Sequence, residues 1–202
     1  SYQAASLFYL KPGAETKYVT FAGYVRNALS FSTLAADPNG GSTTPVKTIS
    51  YPVVCGAFAF GEVTDNDAVP TTGSGTYTGS MLASMIFNPT LDGQDVGGTT
   101  VLPSYFQWLE GTAALNVDFL AKTFQLGLSG TVLAPQIDDY TGPEATVLPA
   151  GATFAAAGKG SINMVNFGGF KGMFDSAAFT NPNGTQRDVA IAGSSIDGTF
   201  YG

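Results

Sequence analysis

Apolar and polar residues alternate with a period of two through much of the second half of the chain. In Thr112–Ala121 the odd-numbered positions from 113 onward are apolar, while Thr112, Asn116 and Asp118 occupy the other phase. Similar alternation follows in Phe124–Val132 and precedes it in Gly75–Phe87. This period predicts strands with one buried face, and no segment of comparable quality shows a helical period. Further strands are predicted at Tyr18–Val25, Val53–Phe60, Thr153–Val165, Gly168–Phe174 and Asp188–Tyr201.

The connections between these strands are rich in turn-forming residues. Asp37–Gly41, Thr141–Pro143 and Asn181–Gly184 are typical turn sequences, and Ala121-Lys122 is short enough for a tight hairpin. Glycines also occur inside the predicted strands, where a missing side chain relieves crowding in a small, coiled barrel. These strand glycines are Gly79, Gly127, Gly158, Gly160 and Gly172. The pattern favours an all-β barrel over a sandwich, because a closed sheet has no exposed edges.

Domain organisation is less clearly marked. Residues before Val53 have longer loops and irregular aromatic spacing, whereas the later strands are regular. We therefore predict a small N-terminal extension or handle subdomain at 1–52 and a barrel at 53–202. An N-terminal pair of strands joined to the same sheet is the alternative.

Composition excludes several classes of function. The net charge is −7 with only 8 Lys and Arg, which disfavours nucleic acid as a partner. Histidine is absent and Cys55 is the single cysteine, so His-dependent triads and multi-Cys metal sites are excluded. No apolar run is long enough for a transmembrane helix. We predict a non-enzyme without catalytic residues, metal or cofactor.

Glycine and aromatic motifs follow one another in a characteristic order over about residues 53–202. They are Phe58–Gly61, Val69-Pro70, Gly75–Gly79, Gly111–Ala113, Val117–Phe119, Lys122–Phe124, Leu128–Gly130 and Gly193–Gly202. This order resembles that of transferrin-binding-protein-like surface lipoproteins. The resemblance implies an eight-stranded antiparallel up-and-down β-barrel on the bacterial cell surface, at the outer membrane through a lipid anchor, or secreted. It also implies loops that bind a partner, such as an iron- or haem-carrying protein.

Two departures from the family pattern affect the expectations. Family members continue past the motif at Gly202 into a last strand, so we expect a barrel one strand short unless the N-terminal segment or another molecule fills the gap. Strand complementation or oligomer formation would then cover the edge. No lipobox cysteine is visible either, because Cys55 lies mid-chain.

Two segments are candidate binding sites for a protein partner. Tyr105, Phe106 and Trp108 belong to an aromatic cluster of the kind that anchors protein interfaces, although packing at the barrel mouth would explain it equally simply. Asp138, Asp139 and Tyr140 form the densest acidic cluster, which a solvated loop also explains. Elsewhere, Cys55 and the methionines Met81 and Met85 are predicted to be buried, and Asp65–Asp67 to be a solvated turn.

Three other functions compete with a surface binding protein. A structural or accessory subunit of a larger envelope assembly fits the missing strand and the absence of recognisable chemistry. A lipocalin-like carrier would hold a small apolar ligand, but Phe, Leu and Met side chains should fill an eight-stranded barrel. A transmembrane barrel fits less well, because the polar faces show little apolar banding.

Overall fold

The fold is all-β and antiparallel, with two sheets. The structure is a computed structural model that describes residues 2–9, 11, 16–33, 47–50, 53–87, 105–133 and 148–202. The N-terminal sheet contains β1 (Tyr2–Tyr9), β2 (Val19–Thr33), β3 (Lys47–Ser50) and β4 (Val53–Gly61). The C-terminal sheet contains β5 (Ser74–Phe87), β6 (Tyr105–Asp118), β7 (Thr123–Val132), β8 (Thr153–Asn163), β9 (Gly169–Thr180), β10 (Gln186–Asp188) and β11 (Ile196–Gly198).

Strand β2 is the centre of the N-terminal sheet. It pairs with β1 on one side and with both β3 and β4 on the other. The β2–β3 and β2–β4 ladders keep one register, from Thr33 opposite Lys47 to Val19 opposite Gly61. The boundary expected after residue 52 therefore falls between two strands that share the partner β2. Strand β1 lies in a region for which the sequence predicted no strand.

The C-terminal sheet follows the predicted up-and-down order. Strands β5 to β9 pair consecutively, and β10 and β11 pair with opposite ends of β9. Within the described ranges neither sheet closes on itself. One short contact joins the sheets: Val63 bridges Tyr201, the amide of Thr64 donates to the Phe200 carbonyl, and that of Gly202 donates to the Glu62 carbonyl.

Several predicted strand boundaries are wrong. Strand β2 extends to Thr33 and β9 to Thr180, beyond the predicted ends at 25 and 174, and β6 begins at Tyr105 rather than at 112. Three further differences each have a local reason. Strand β6 ends at Asp118 rather than at 121, because the Asp118 carboxylate accepts the amide of Ala121 and starts the turn. Strand β8 ends at Asn163, where the short helical turn Met164–Phe167 begins. The single strand predicted at 188–201 is two short strands, separated by a turn that contains Gly193 at φ 79°.

The main core lies on one face of the C-terminal sheet. Its buried members are Val69, Val117, Phe119, Phe124, Ile162 and Ile196. The rings of Phe124 and Phe170 pack edge-to-face at 5.1 Å between centroids, and Phe170 and Phe200 at 5.7 Å. These large rings fit because the facing strands carry glycine, as at Gly160 and Gly172 beneath Phe124. Met81 is buried and Met85 packs against a second cluster, as predicted.

Candidate functional site

The predicted aromatic cluster lies at the beginning of β6. We call this end of the C-terminal sheet, where β6 begins and β7 ends, the loop end. Tyr105 and Phe106 occupy the first two positions of β6, opposite Phe87 and Ile86. Trp108 is half-buried two positions further along. The loop end therefore begins with three aromatic residues within four positions.

A buried glutamine ties the loop end together. The side chain of Gln107 is completely buried, and its Nε2 donates to the carbonyls of Leu133 at 3.3 Å and Leu148 at 2.8 Å. The Trp108 carbonyl also accepts the Leu133 amide at 2.8 Å. Because Leu133 and Leu148 flank residues 134–147, one side chain of β6 fixes both stems of that segment beside the aromatic cluster.

The acidic candidates belong to the segment between Leu133 and Leu148. Asp138, Asp139 and Tyr140 lie outside the described residues, whereas Leu133 and Leu148, the described residues on either side of that segment, lie at the loop end beside Gln107. Sequence reasoning missed Gln107, although the signal was present: it is a polar residue in the odd-numbered phase that is otherwise apolar in β6.

The loop end is supported by its own apolar cluster. The members of this cluster are Leu109, Val132, Leu148, Ala152 and Phe179, and each is less than 9% exposed. Phe154 packs against Phe179 with ring centroids 5.0 Å apart. A close-packed base of this kind holds the stems in one position, which is the condition for a pre-organised binding surface.

A cavity of about 450 Å³ occupies the opposite, turn end of the sheet. Its floor is formed by Val69, Phe119 and Ile162, and its rim includes Asp67 and Lys122. The segment predicted as a solvated turn at Asp65–Asp67 leads into a 3₁₀ turn with exposed carboxylates, as expected. Across the described ranges, no three Cys, Asp or Glu side chains converge on a common point in the way that a metal ion requires.

The N-terminal sheet presents a second candidate surface. Residues paired across β1, β2 and β4 share a face, and seven large apolar side chains on it are between 38% and 69% exposed. They are Leu7, Tyr9, Tyr18, Tyr24, Val54, Phe58 and Phe60. We call this set the aromatic face. Cys55 lies in β4 opposite Val25, in the other phase of the strand.

The comparisons with known proteins give no family assignment: neither protein-family models nor curated protein sequences match this chain. No helix in the described part of the chain combines the length and apolarity that crossing a bilayer requires. The fold and the two surfaces are therefore the basis for inferring function.

Proposed function

We propose that this chain is a non-enzymatic binding protein of the bacterial cell surface, at the outer membrane or secreted, which holds a protein partner at its loop end. The observation that carries the proposal is the bond from Gln107 to both stems of the 134–147 segment. These hydrogen bonds connect the aromatic cluster to the stems of the acidic segment. Aromatic anchors beside charged groups are typical of protein interfaces. An iron- or haem-carrying protein is the partner that the family resemblance suggests.

The proposal includes an eight-stranded antiparallel barrel. Support comes from the consecutive pairing of β5 to β9, from the apolar face that these strands share, and from glycines where neighbouring backbones approach closely. Such glycines allow the coiling that a small barrel needs. Closure would require a strand that pairs with β5 at one edge and with β10 and β11 at the other.

Exchange of the loop end tests the proposal. In one variant residues 136–146 become a Gly-Ser linker of equal length, and in a second Trp108 becomes Ala. Leu120→Ser, an exposed apolar residue in the turn after β6, is the matched control at the opposite end. Tagged proteins are recovered from the native cells after mild crosslinking, and the partners are quantified by mass spectrometry.

We expect a partner that is retained by the wild type and by Leu120→Ser but lost from both loop-end variants. Circular dichroism and the melting temperature show that each variant remains folded. Equal recovery of every partner by all four proteins would refute the loop-end site.

One observation favours a second candidate, an accessory subunit of an envelope assembly. Large exposed apolar patches mark interaction sites, and seven large apolar side chains of the aromatic face are between 38% and 69% exposed. Native mass spectrometry of the protein from its own source separates the two: fixed stoichiometry in a larger complex supports the subunit, and a monomer that gains a partner on addition supports the binding protein.

A further inference from the structure

We infer that the outer edge of β1 and the aromatic face beside it form a docking site for an extended acidic segment of a partner protein. This site is separate from the loop end, and neither site requires the other. Three independent features carry the inference: an unprotected strand edge, an exposed apolar surface continuous with it, and an excess of positive charge.

The edge is that of β1. Among the described residues β1 pairs only with β2, so the backbone N–H and C=O groups on its other side have no strand partner. Its eight residues, Tyr2–Tyr9, include no charged residue and no proline. Charged residues and proline are the usual means by which proteins block pairing at a strand edge. Because β1 has neither, its edge is suited to strand addition.

The aromatic face begins at this edge. Tyr9 pairs with Ala22, which pairs with Phe58, and Leu7 pairs with Tyr24, so each row runs from β1 across the sheet. Tyr9 and Leu7 are 65% and 69% exposed. A strand added along β1 would place every second side chain on this same face, next to Leu7 and Tyr9.

The charges of the N-terminal sheet select the partner. The first 61 residues carry four basic side chains, Lys11, Lys17, Arg26 and Lys47, against two acidic ones, Glu15 and Asp37, in a chain whose net charge is −7. Lys17 lies over the Tyr18 ring and donates to its hydroxyl, while Lys11 and Arg26 have no carboxylate within 4.0 Å in the described structure. Two such faces would repel each other, whereas an acidic segment complements them.

The occupant is therefore an extended segment whose apolar and acidic side chains lie in the same phase, on the face that Leu7, Tyr9 and Arg26 share. Backbone bonds to β1 supply affinity, the apolar side chains cover Leu7 and Tyr9, and the flanking carboxylates meet Lys11 and Arg26. A second copy of this chain and an anionic lipid surface are the competing occupants, and the test distinguishes both from the acidic segment.

The probe is a fluorescein-labelled nine-residue peptide that carries glutamate at its first and last positions, tyrosine at the centre, valine at the two odd positions between, and threonine at the even positions. Two control peptides carry lysine in place of glutamate, or proline in place of two valines. Binding is followed by fluorescence anisotropy at low and high salt, with amide hydrogen exchange to locate the protected strand. Arg26→Glu and Tyr9→Ser test the site, and Lys171→Glu and Met173→Ser are matched controls on β9, where Lys171 and Met173 are also exposed.

We expect the acidic peptide to bind, to protect β1 amides, and to weaken at high salt. Arg26→Glu should raise its Kd roughly tenfold, the scale of one charge–charge contact near a protein surface, whereas Lys171→Glu leaves it unchanged. Tyr9→Ser should also weaken binding, and Met173→Ser should not.

Equal binding of the lysine or proline peptide would overturn the inference, as would no binding of any peptide. A dimer in light scattering whose formation blocks the peptide would assign the edge to a second copy. Binding to phosphatidylglycerol vesicles without peptide binding would assign the face to lipid. The loop-end variants should bind the peptide as the wild type does. Failure of peptide binding would therefore not bear on the proposed loop-end function, which the partner-recovery experiment tests separately.

Discussion

The close approach of strands β7, β8 and β9 makes Gly160→Ala the most informative stability test. A Cβ at Gly160 would overlap the carbonyl oxygen of Lys171, and it would lie 2.6 Å from Gly172 Cα and 2.7 Å from Phe124 Cε1. Backbone cannot rotate aside as a flexible side chain can, so β8 and β9 must separate. Overpacking of this kind costs about 1–3 kcal/mol, and sometimes more, while replacing glycine in a strand returns roughly 0.5–1 kcal/mol.

We therefore expect Gly160→Ala to lower the free energy of unfolding by about 1 kcal/mol, which corresponds to a fall in melting temperature of roughly 2–4 °C. Urea titration followed by circular dichroism measures it. Gly127→Ala in β7 is the matched control, because nothing lies within 4 Å of its added Cβ. A Gly160→Ala protein as stable as the wild type, or equal losses in both variants, would refute the close packing of these strands.

Three further substitutions test other parts of the account. Gln107→Met should cost about 1–3 kcal/mol, because the buried Leu148 carbonyl and the half-buried Leu133 carbonyl lose their donor, partly offset by removal of the buried, unpaired Gln107 Oε1. Amide exchange at Leu133 should quicken, and unchanged exchange would contradict the role of Gln107 in holding the two stems. Lys122→Gly should stabilise the protein by about 0.5–1 kcal/mol, because Lys122 has φ 56°, and a lower urea midpoint would count against that turn. Phe170→Ala should cost about 2–3 kcal/mol, since its half-buried ring packs against two others, and a loss below ~1 kcal/mol in thermal unfolding would contradict the cluster.

Strands β6 and β7 could be predicted because each has one face that is more buried than the other. Their alternation follows directly from that burial, and the predicted consecutive pairing was confirmed. Strand β1 could not be predicted in this way, because Leu7 and Tyr9, which share one of its faces, are both exposed.

The role of the glycines could be predicted only in part. Gly158, Gly160 and Gly172 lie where neighbouring backbone or side-chain atoms occupy the space of a Cβ, as expected. Gly79 and Gly127 do not, because open space surrounds their Cβ positions. Crowding depends on the strand that lies opposite, and a single sequence does not specify that pairing.

The candidate site shows the same division between local and long-range information. The aromatic residues at the start of β6 stand out by residue type alone. Their proximity to the stems of the acidic segment depends on Gln107 and on two carbonyls that are 26 and 41 residues away in sequence. A pattern of neighbouring residues cannot show hydrogen bonds over such sequence separations. A polar residue at a strand position that is otherwise apolar does, however, indicate a candidate for one.

Photocrosslinking tests the loop-end site most directly. Benzoylphenylalanine replaces Trp108 in one protein and Leu120, at the opposite end of β6, in another, and both are irradiated in the native cells. The account predicts a covalent adduct with a discrete protein partner from position 108 and none from position 120. An adduct only from position 120, or none from either position, would contradict a partner held at the loop end.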